Sequence, residues 1–190
     1  MAVTWIVVAV AALLLLYLIV RFNKLIRLRT RTQEAWSEID VELKRRHDLI
    51  PNLVATVQGY AAHERGVFEE VTQARAGAVA ASAAGNPAAM AGAEDQLTGA
   101  VRRLFAVAEN YPQLKAVDVF LNLQEQLTTT EDKVEFSRRF YNGNVRDFNT
   151  ALQTFPTNIY GRMLGFQPFA FFAAAESERA APTVSFAQGS

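Results

Sequence analysis

Residues 1–20 form one uninterrupted apolar run, in which no side chain is charged and only Thr4 is plainly polar. At about 1.5 Å per residue, a helix of this length covers roughly 30 Å, the thickness of the hydrocarbon core of a bilayer. No Lys or Arg precedes Trp5, and the run ends at Arg21 rather than at small residues, which favours an uncleaved anchor over a signal peptide. We therefore predict a transmembrane anchor over residues 1–22, held in the bilayer by Trp5, Leu13, Leu16 and Tyr17.

After the anchor, apolar residues recur at alternating spacings of three and four, which is typical of helices packed side by side. Four such segments follow, and none shows the two-residue alternation of a strand. The first continues from the membrane to Pro51, which marks its end or a kink; the others cover roughly 53–78, 90–111 and 115–155. The pattern predicts an all-α protein with a helical domain at 23–160. A reversal at Pro51 gives a four-helix bundle, whereas a kink gives a rod and a hairpin.

The fourth segment carries apolar residues at every seventh position, and such a repeat predicts left-handed, coiled-coil-like packing. These positions are Phe120, Leu127, Val134, Tyr141, Phe148 and Phe155. The intervening positions include Thr130, Ser137 and Asn144, which need hydrogen-bond partners if they are buried. They form either a polar slot or a row of interhelical hydrogen bonds that fixes the register, and we favour the second interpretation.

Positive charge is concentrated on one side of the span and predicts its orientation. No cation precedes the span, and the basic flank of a span stays in the cytoplasm. We expect a short N-terminus outside the cell, the remaining domain in the cytoplasm, and contacts between the cations and anionic headgroups. The five cations that follow the span are Arg21, Lys24, Arg27, Arg29 and Arg31.

Composition narrows the classes of partner. The chain has 19 Lys and Arg against 19 Asp and Glu, so it lacks the basic footprint of a nucleic-acid-binding protein. Cysteine is absent, which excludes disulfides and cysteine-based chemistry. We expect the lipid bilayer as a partner and no nucleic acid.

Catalytic signatures are missing from the sequence. The two histidines are His47 and His63, and neither belongs to a Glu-x-x-His or HExxH arrangement. No phosphate-binding loop or nucleophile elbow is present. We expect both histidines to be ordinary, partly exposed helix residues, and we expect no enzyme activity, no cofactor, no metal site and no small-molecule substrate.

Four phenylalanines lie close together near the end of the chain, and their rings need to be covered. They either pack over one end of the helical domain or form an interaction surface for another copy or for the membrane. The segment 161–190 is expected to be a short aromatic-rich element with a loosely held tail. The candidate self-association residues are Phe166, Phe169, Phe171 and Phe172.

Eight short motifs follow one another in a fixed order along the chain. They lie at 35–46 (AWSEIDVELKRR), 48–54 (DLIPNLV), 59–64 (GYAAHE), 71–75 (VTQAR), 106–112 (AVAENYP), 140–142 (FYN), 155–158 (FPTN) and 165–166 (GF). Together these motifs resemble the LemA family. The resemblance implies a bacterial inner-membrane protein with one N-terminal span and a cytoplasmic antiparallel four-helix bundle, in a family whose activity is not settled and of which some members are associated with membrane shaping in magnetosome formation. It supplies no catalytic residues.

Two functions fit these features. The first is a non-enzymatic scaffold that self-associates as a homo-oligomer or recruits partners at the cytoplasmic face of the membrane, where anchoring raises the effective concentration. The second is a regulatory adaptor of another membrane protein, such as a protease or a sensor. Its contact face would consist of Glu38, Asp40, Glu42, Lys44 and Arg45.

Overall fold

The computed structural model describes residues 1–172. Among these residues it contains helices and no strand, as the sequence predicts. The predicted tail beyond Phe172 lies outside the described residues. The helices are α1 (Ala2–Gln58), α2 (Arg65–Ala84), α3 (Pro87–Glu109), α4 (Pro112–Lys115), α5 (Asp118–Gln153) and α6 (Thr157–Tyr160).

Helix α1 begins in the apolar run and continues without a break into the packed part of the protein. One 18-residue window of α1 is long and apolar enough to cross a membrane, and none of it is buried. The first buried residue along the helix is Leu25, and buried positions then follow at helical spacing. They include Thr32, Ala35, Ile39 and Leu43.

Pro51 lies inside α1 rather than at its end. The first of the two alternatives, that the first helix ends at this proline, is wrong, because α1 continues to Gln58 and the chain turns only at 59–64. The predicted second segment is accordingly divided: its first residues belong to α1, and the rest form α2.

The turn between α2 and α3 is formed by Gly85, Asn86 and Pro87. Gly85 ends α2 with a φ of 66°, a left-handed conformation that favours glycine. The side chain of Asn86 accepts hydrogen bonds from the backbone N–H of Ala88 and Ala89, and Pro87 occupies the first turn of α3. Local sequence therefore determines this connection.

The described chain divides into two compact units. The first contains Met1–Arg46 and Gln126–Phe171, and the second contains His47–Glu125 together with Phe172. The boundaries at 22/23 and 160/161 were predicted from the sequence pattern and not from contacts in space. They stay predictions.

In the first unit, contacts between α1 and α5 follow a regular order. Arg46 pairs with Glu131, the ring of Trp36 lies 5.2 Å from that of Tyr141, and Leu25 shares a core cluster with Leu152. Residues nearer the start of α1 thus contact residues nearer the end of α5. In the second unit, α2 packs against α3.

Most of the predicted heptad positions along α5 are buried, Val134 is half-buried, and the last position, Phe155, is exposed. Phe120, Leu127, Tyr141 and Phe148 are buried. Phe155 is 69% exposed, because α5 ends at Gln153 and Phe155 lies in the turn that follows.

For Thr130 and Asn144, bonds within α5 replace the interhelical hydrogen bonds that we expected along the heptad seam. The hydroxyl of Thr130 donates to the backbone carbonyl of Gln126, and the side-chain amide of Asn144 donates to the backbone carbonyl of Phe140. These side chains therefore satisfy their donors on the preceding turn of their own helix.

Candidate functional site

The predicted anchor residues occupy the exposed part of α1. Trp5, Leu13, Leu16 and Tyr17 are each exposed, from 48% at Tyr17 to 73% at Trp5. Large apolar side chains that are all exposed along one helix need an apolar environment, and a bilayer provides it.

The cations that follow the anchor lie in different surroundings. Arg21 and Lys24 line a cleft of about 420 Å³ together with Arg146. The guanidinium of Arg29 lies 5.8 Å from the centre of the Phe166 ring, within reach of a cation–π interaction. Arg27 and Arg31 are exposed, as headgroup-contacting residues would be.

The C-terminal phenylalanines separate into buried and exposed members. Phe166 is buried in a cluster with Leu25 and Phe148, and the half-buried Phe169 packs against the same cluster. Phe172 is also buried, whereas Phe171 is 49% exposed. Phe171 is thus the predicted self-association residue with the largest free surface.

Two polar side chains of α5 hold the segment that carries these rings. Asn149 donates from its amide to the carbonyl of Phe169 and accepts from the Phe169 N–H. The hydroxyl of Tyr141 donates to the carbonyl of Ala170 over 2.8 Å. Burial raises the pKa of the Tyr141 phenol, which keeps this donor protonated.

A surface groove of about 660 Å³ runs between α1 and α5 in the first unit. Three of the apolar side chains on this face are exposed: Val41 at 64%, Phe136 at 69% and Phe140 at 48%. The rings of Phe136 and Phe140 stack nearly parallel, 6.4 Å apart. The residues lining the groove are Ser37, Glu38, Val41, Glu42, Thr129, Asp132, Lys133, Phe136 and Ser137.

Glu42 gives the groove a distinctive electrostatic feature. Its Oε1 lies 3.8 Å from Nζ of Lys133. Its Oε2 is buried, and within the described part of the chain that atom has no hydrogen-bond partner. A buried carboxylate oxygen that lacks a donor favours a ligand that supplies one.

A buried polar cluster in the second unit connects three helices. Nε2 of His47 on α1 lies 2.6 Å from Oε1 of Glu94 on α3, and both side chains are more than nine-tenths buried. Nε of Arg75 on α2 donates to the backbone carbonyl of His47 over 2.6 Å.

The position of Pro51 explains why this carbonyl is available. In a regular helix, the N–H of residue 51 would donate to the carbonyl of residue 47, and proline has no N–H. Arg75 replaces the missing donor, so α1 continues past Pro51 with the carbonyl of His47 satisfied. The proline is tolerated because of a contact with another helix.

The prediction that both histidines are partly exposed helix residues is wrong for His47, which is buried on α1. His63 is exposed, and it lies in the turn at 59–64 rather than on a helix. His47 follows Leu43 by four residues and precedes Ile50 by three, and both of these are buried. This spacing was the signal for its burial. Its partner Glu94 lies on a distant helix, which the spacing could not identify.

The buried side chain of Arg46 also has a structural partner. Arg46 is 4% exposed, and its guanidinium lies 2.9 Å from Oε1 of Glu131. Across residues 1–172, no group of three or more His, Asp and Glu side chains is arranged to hold a metal ion. The arrangement offers contact surfaces, a groove and a charged cleft, built on helices that are tied together by buried polar pairs.

The amino-acid sequence of the helical domain matches a known protein family. The family model described as LemA matches residues 35–186, which is most of the chain and begins beyond the apolar run. The chain belongs to the LemA family. The LemA match includes both sides of the groove and the three residues of the buried polar cluster, His47, Arg75 and Glu94.

Relatives of this LemA-family chain include two magnetosome proteins and a protein named LemA. It is 26% identical to magnetosome protein MamQ 2 of Paramagnetospirillum magneticum and 24% identical to magnetosome protein MamQ of Magnetospirillum gryphiswaldense. Each alignment covers 82% of this chain, and the chain spans only 65% of the length of these relatives. It is 29% identical to protein LemA of Metamycoplasma hominis, over 84% of this chain and 72% of that protein. An apolar N-terminal helix and such relatives indicate a membrane protein.

Proposed function

We propose that the chain is a non-enzymatic, membrane-anchored scaffold that self-associates at the cytoplasmic face of the bacterial inner membrane. We infer that α1, α2, α3 and α5 form its antiparallel four-helix bundle with coiled-coil-like packing, in which the chain first reverses at 59–64 and not at Pro51. The observation that carries this proposal is the continuity of α1, which passes from an exposed apolar segment into a packed core without a linker.

Continuity of α1 makes the height of the groove above the membrane a fixed quantity. Val41 lies 20 residues after Arg21 on the same helix. At about 1.5 Å per residue, the groove is roughly 30 Å above the point where the apolar run ends. All copies in one membrane therefore carry the groove at the same height, and confinement to a surface raises their effective concentration.

The groove is the surface through which two copies meet. Val41, Phe136 and Phe140 are exposed apolar side chains on one face, and burying them against the same face of a second copy is favourable. Charges of both signs border the face, Glu38 and Asp132 with Lys133, which suits a contact between identical surfaces.

Orientation follows from the five cations that come directly after the apolar run. The basic flank faces the cytoplasm, so the N-terminus is outside and the domain is inside. The relatives include proteins named as magnetosome proteins. The role that we propose is to organise or shape a membrane, which a self-associating anchored scaffold performs by holding copies side by side.

The second candidate function is a regulatory adaptor of another membrane protein. It is favoured by the buried Oε2 of Glu42, for which a partner protein would supply a donor. The charged face of α1 around Glu38, Asp40, Lys44 and Arg45 would provide further contacts.

Thiol crosslinking tests the proposal directly, because the native chain contains no cysteine. Thr129→Cys places one thiol in the groove, and Gln73→Cys places one on an exposed position of α2 as the matched control. In isolated membranes, a short bifunctional thiol reagent should join two copies through residue 129 and leave the control monomeric. Adding Phe136→Ser to the Thr129→Cys chain should reduce the dimer several-fold.

The other outcomes separate the candidates. Equal dimer yields at both positions would indicate random collision and contradict a contact through the groove. An amine-reactive crosslinker that yields one dominant heterologous product, with no ladder of self-crosslinked copies, would support the adaptor instead.

A further inference from the structure

The turn that follows α5 lies next to the end of the membrane span. Thr154 and Thr157 line the same cleft as Arg21 and Lys24, the first two cations after the apolar run. The chain then turns back, since Phe166 contacts Phe22 and Phe169 contacts Phe148. The segment 154–165, which we name the membrane-proximal turn, is therefore the end of the first unit nearest to the bilayer.

The membrane-proximal turn exposes four large apolar side chains. The exposed fractions are 69% for Phe155, 62% for Ile159, 84% for Met163 and 57% for Leu164. Four such residues within ten positions form an apolar surface that water solvates poorly, so a partner is expected to cover it.

The charges around this surface indicate the chemistry of the partner. The turn contains one cation, Arg162, and no Asp or Glu. The adjacent cleft contributes Arg21, Lys24 and Arg146 against a single carboxylate, Asp147. Apolar side chains bordered by cations match the boundary between anionic headgroups and acyl chains.

The backbone of the membrane-proximal turn packs closely against the end of α5. A Cβ added to Gly161 would lie 2.6 Å from Cδ1 of Leu152 and 2.7 Å from the carbonyl oxygen of Thr157, so the turn packs tightly against the end of α5. The same Leu152 belongs to the core cluster with Leu25 on α1. The turn is thus fixed to the helix that enters the membrane.

We propose that the membrane-proximal turn is a second membrane contact, which inserts Phe155, Ile159, Met163 and Leu164 into the interfacial region of the bilayer that holds α1. This inference rests on the proposed anchoring of α1. Two attachment points, the span and the turn, prevent the domain from tilting away from the membrane. The orientation of the groove is then fixed as well as its height.

Depth measurements on single-cysteine chains test this inference. The full chain is reconstituted into vesicles of phosphatidylcholine and phosphatidylglycerol, with a fluorescent thiol label at Met163→Cys or Ile159→Cys. Lys44→Cys is the matched control, because it is also exposed in the first unit but lies outside the groove and far along α1 from the span. Leu13→Cys reports on the anchor itself. The fluorescence of each label is measured with two quenchers. One is iodide, equilibrated on both sides of the vesicle membrane, and the other is lipid with brominated acyl chains.

The labels at 163 and 159 should be quenched by brominated lipid and should lose most of the iodide quenching seen at 44. Interfacial apolar faces lie about 5–10 Å below the headgroup boundary, which brominated chains reach and iodide does not. Iodide quenching at 163 and 159 equal to that at 44, without lipid quenching, would overturn the inference.

Two further outcomes also contradict the inference and identify the reason. Protection of 163 and 159 from both quenchers would mean that protein covers the turn, as a second copy would. Absence of lipid quenching at 13 would show that α1 is not in the bilayer, in which case the proposed anchoring fails together with the turn. Lipid quenching at 13 but not at 163 or 159 leaves the anchoring intact and removes only the second contact.

Discussion

Phe148→Ala should lower the free energy of unfolding by about 3–5 kcal/mol, the usual cost of emptying a buried aromatic site. The Phe148 side chain is 1% exposed, and its ring lies 5.0 Å from that of Phe169 and 6.4 Å from that of Phe166. The substitution would leave a cavity in the cluster that joins α1, α5 and the C-terminal segment. At roughly 2–4 °C per kcal/mol for a chain of this size, the midpoint of thermal unfolding should fall by about 10 °C.

The matched control is Phe136→Ala, on the same helix but 69% exposed. In the detergent-solubilised monomer, in which the groove is uncovered, this change should alter the free energy of unfolding by no more than about 0.5 kcal/mol. Far-UV circular dichroism of both variants in mild detergent gives the comparison. Equal losses for the two phenylalanines would contradict the packing of this cluster.

Arg75→Met should lower the free energy of unfolding by about 1–3 kcal/mol, because it leaves the carbonyl of His47 without a donor. Pro51→Ala restores the backbone N–H that would otherwise serve this carbonyl. In the Pro51→Ala chain, the same Arg75→Met substitution should therefore cost less than about 1 kcal/mol. The interaction between the two substitutions is measured as a double-mutant cycle of unfolding free energies.

Arg102→Met on α3 provides the control for loss of an arginine, since Arg102 is exposed. Its effect should be small, and it should be the same in the native chain and in the Pro51→Ala chain. If the cost of Arg75→Met is unchanged by Pro51→Ala, then Arg75 does not serve as the replacement donor, and another reason is needed for the continuity of α1.

Helical periodicity predicted the all-helical character of the described residues. The buried positions of α1 and α5 mostly follow the expected spacings, and the residues that cap the turn between α2 and α3, Gly85 and Asn86, are of the types that favour such caps. These features are local, so the sequence contains the information that determines them.

Two of the errors originate in contacts between distant segments. Pro51 was expected to mark the end of the first helix or a kink, and the helix does not end there, because a side chain 24 positions later satisfies the carbonyl that the proline leaves open. His47 was expected to be partly exposed, and Glu94 on α3 provides its buried partner. The seven-residue repeat led us to predict that the fourth helix reaches Phe155, whereas α5 ends at Gln153. A repeat cannot indicate where a helix ends. In the first two cases the deciding contact is tertiary.

The candidate surfaces were predictable only in part. The anchor and its cationic flank are visible in the sequence, because charge and apolar length are properties of composition. The groove and the membrane-proximal turn depend on which side chains of α1 and α5 stay uncovered, which requires the packing of the two helices. Phe136, Phe148 and Phe155 all lie on the predicted fourth segment. Only the structure shows that Phe148 is buried and that the other two are exposed.

The central claim, that α1 anchors a cytoplasmic domain, is tested most directly by thiol labelling of Gln73→Cys in spheroplasts with a membrane-impermeant maleimide. The account predicts that the chain remains with the membranes and that its single cysteine is labelled only after the spheroplasts are lysed. Labelling in intact spheroplasts, or recovery of the chain in the soluble fraction, would contradict it.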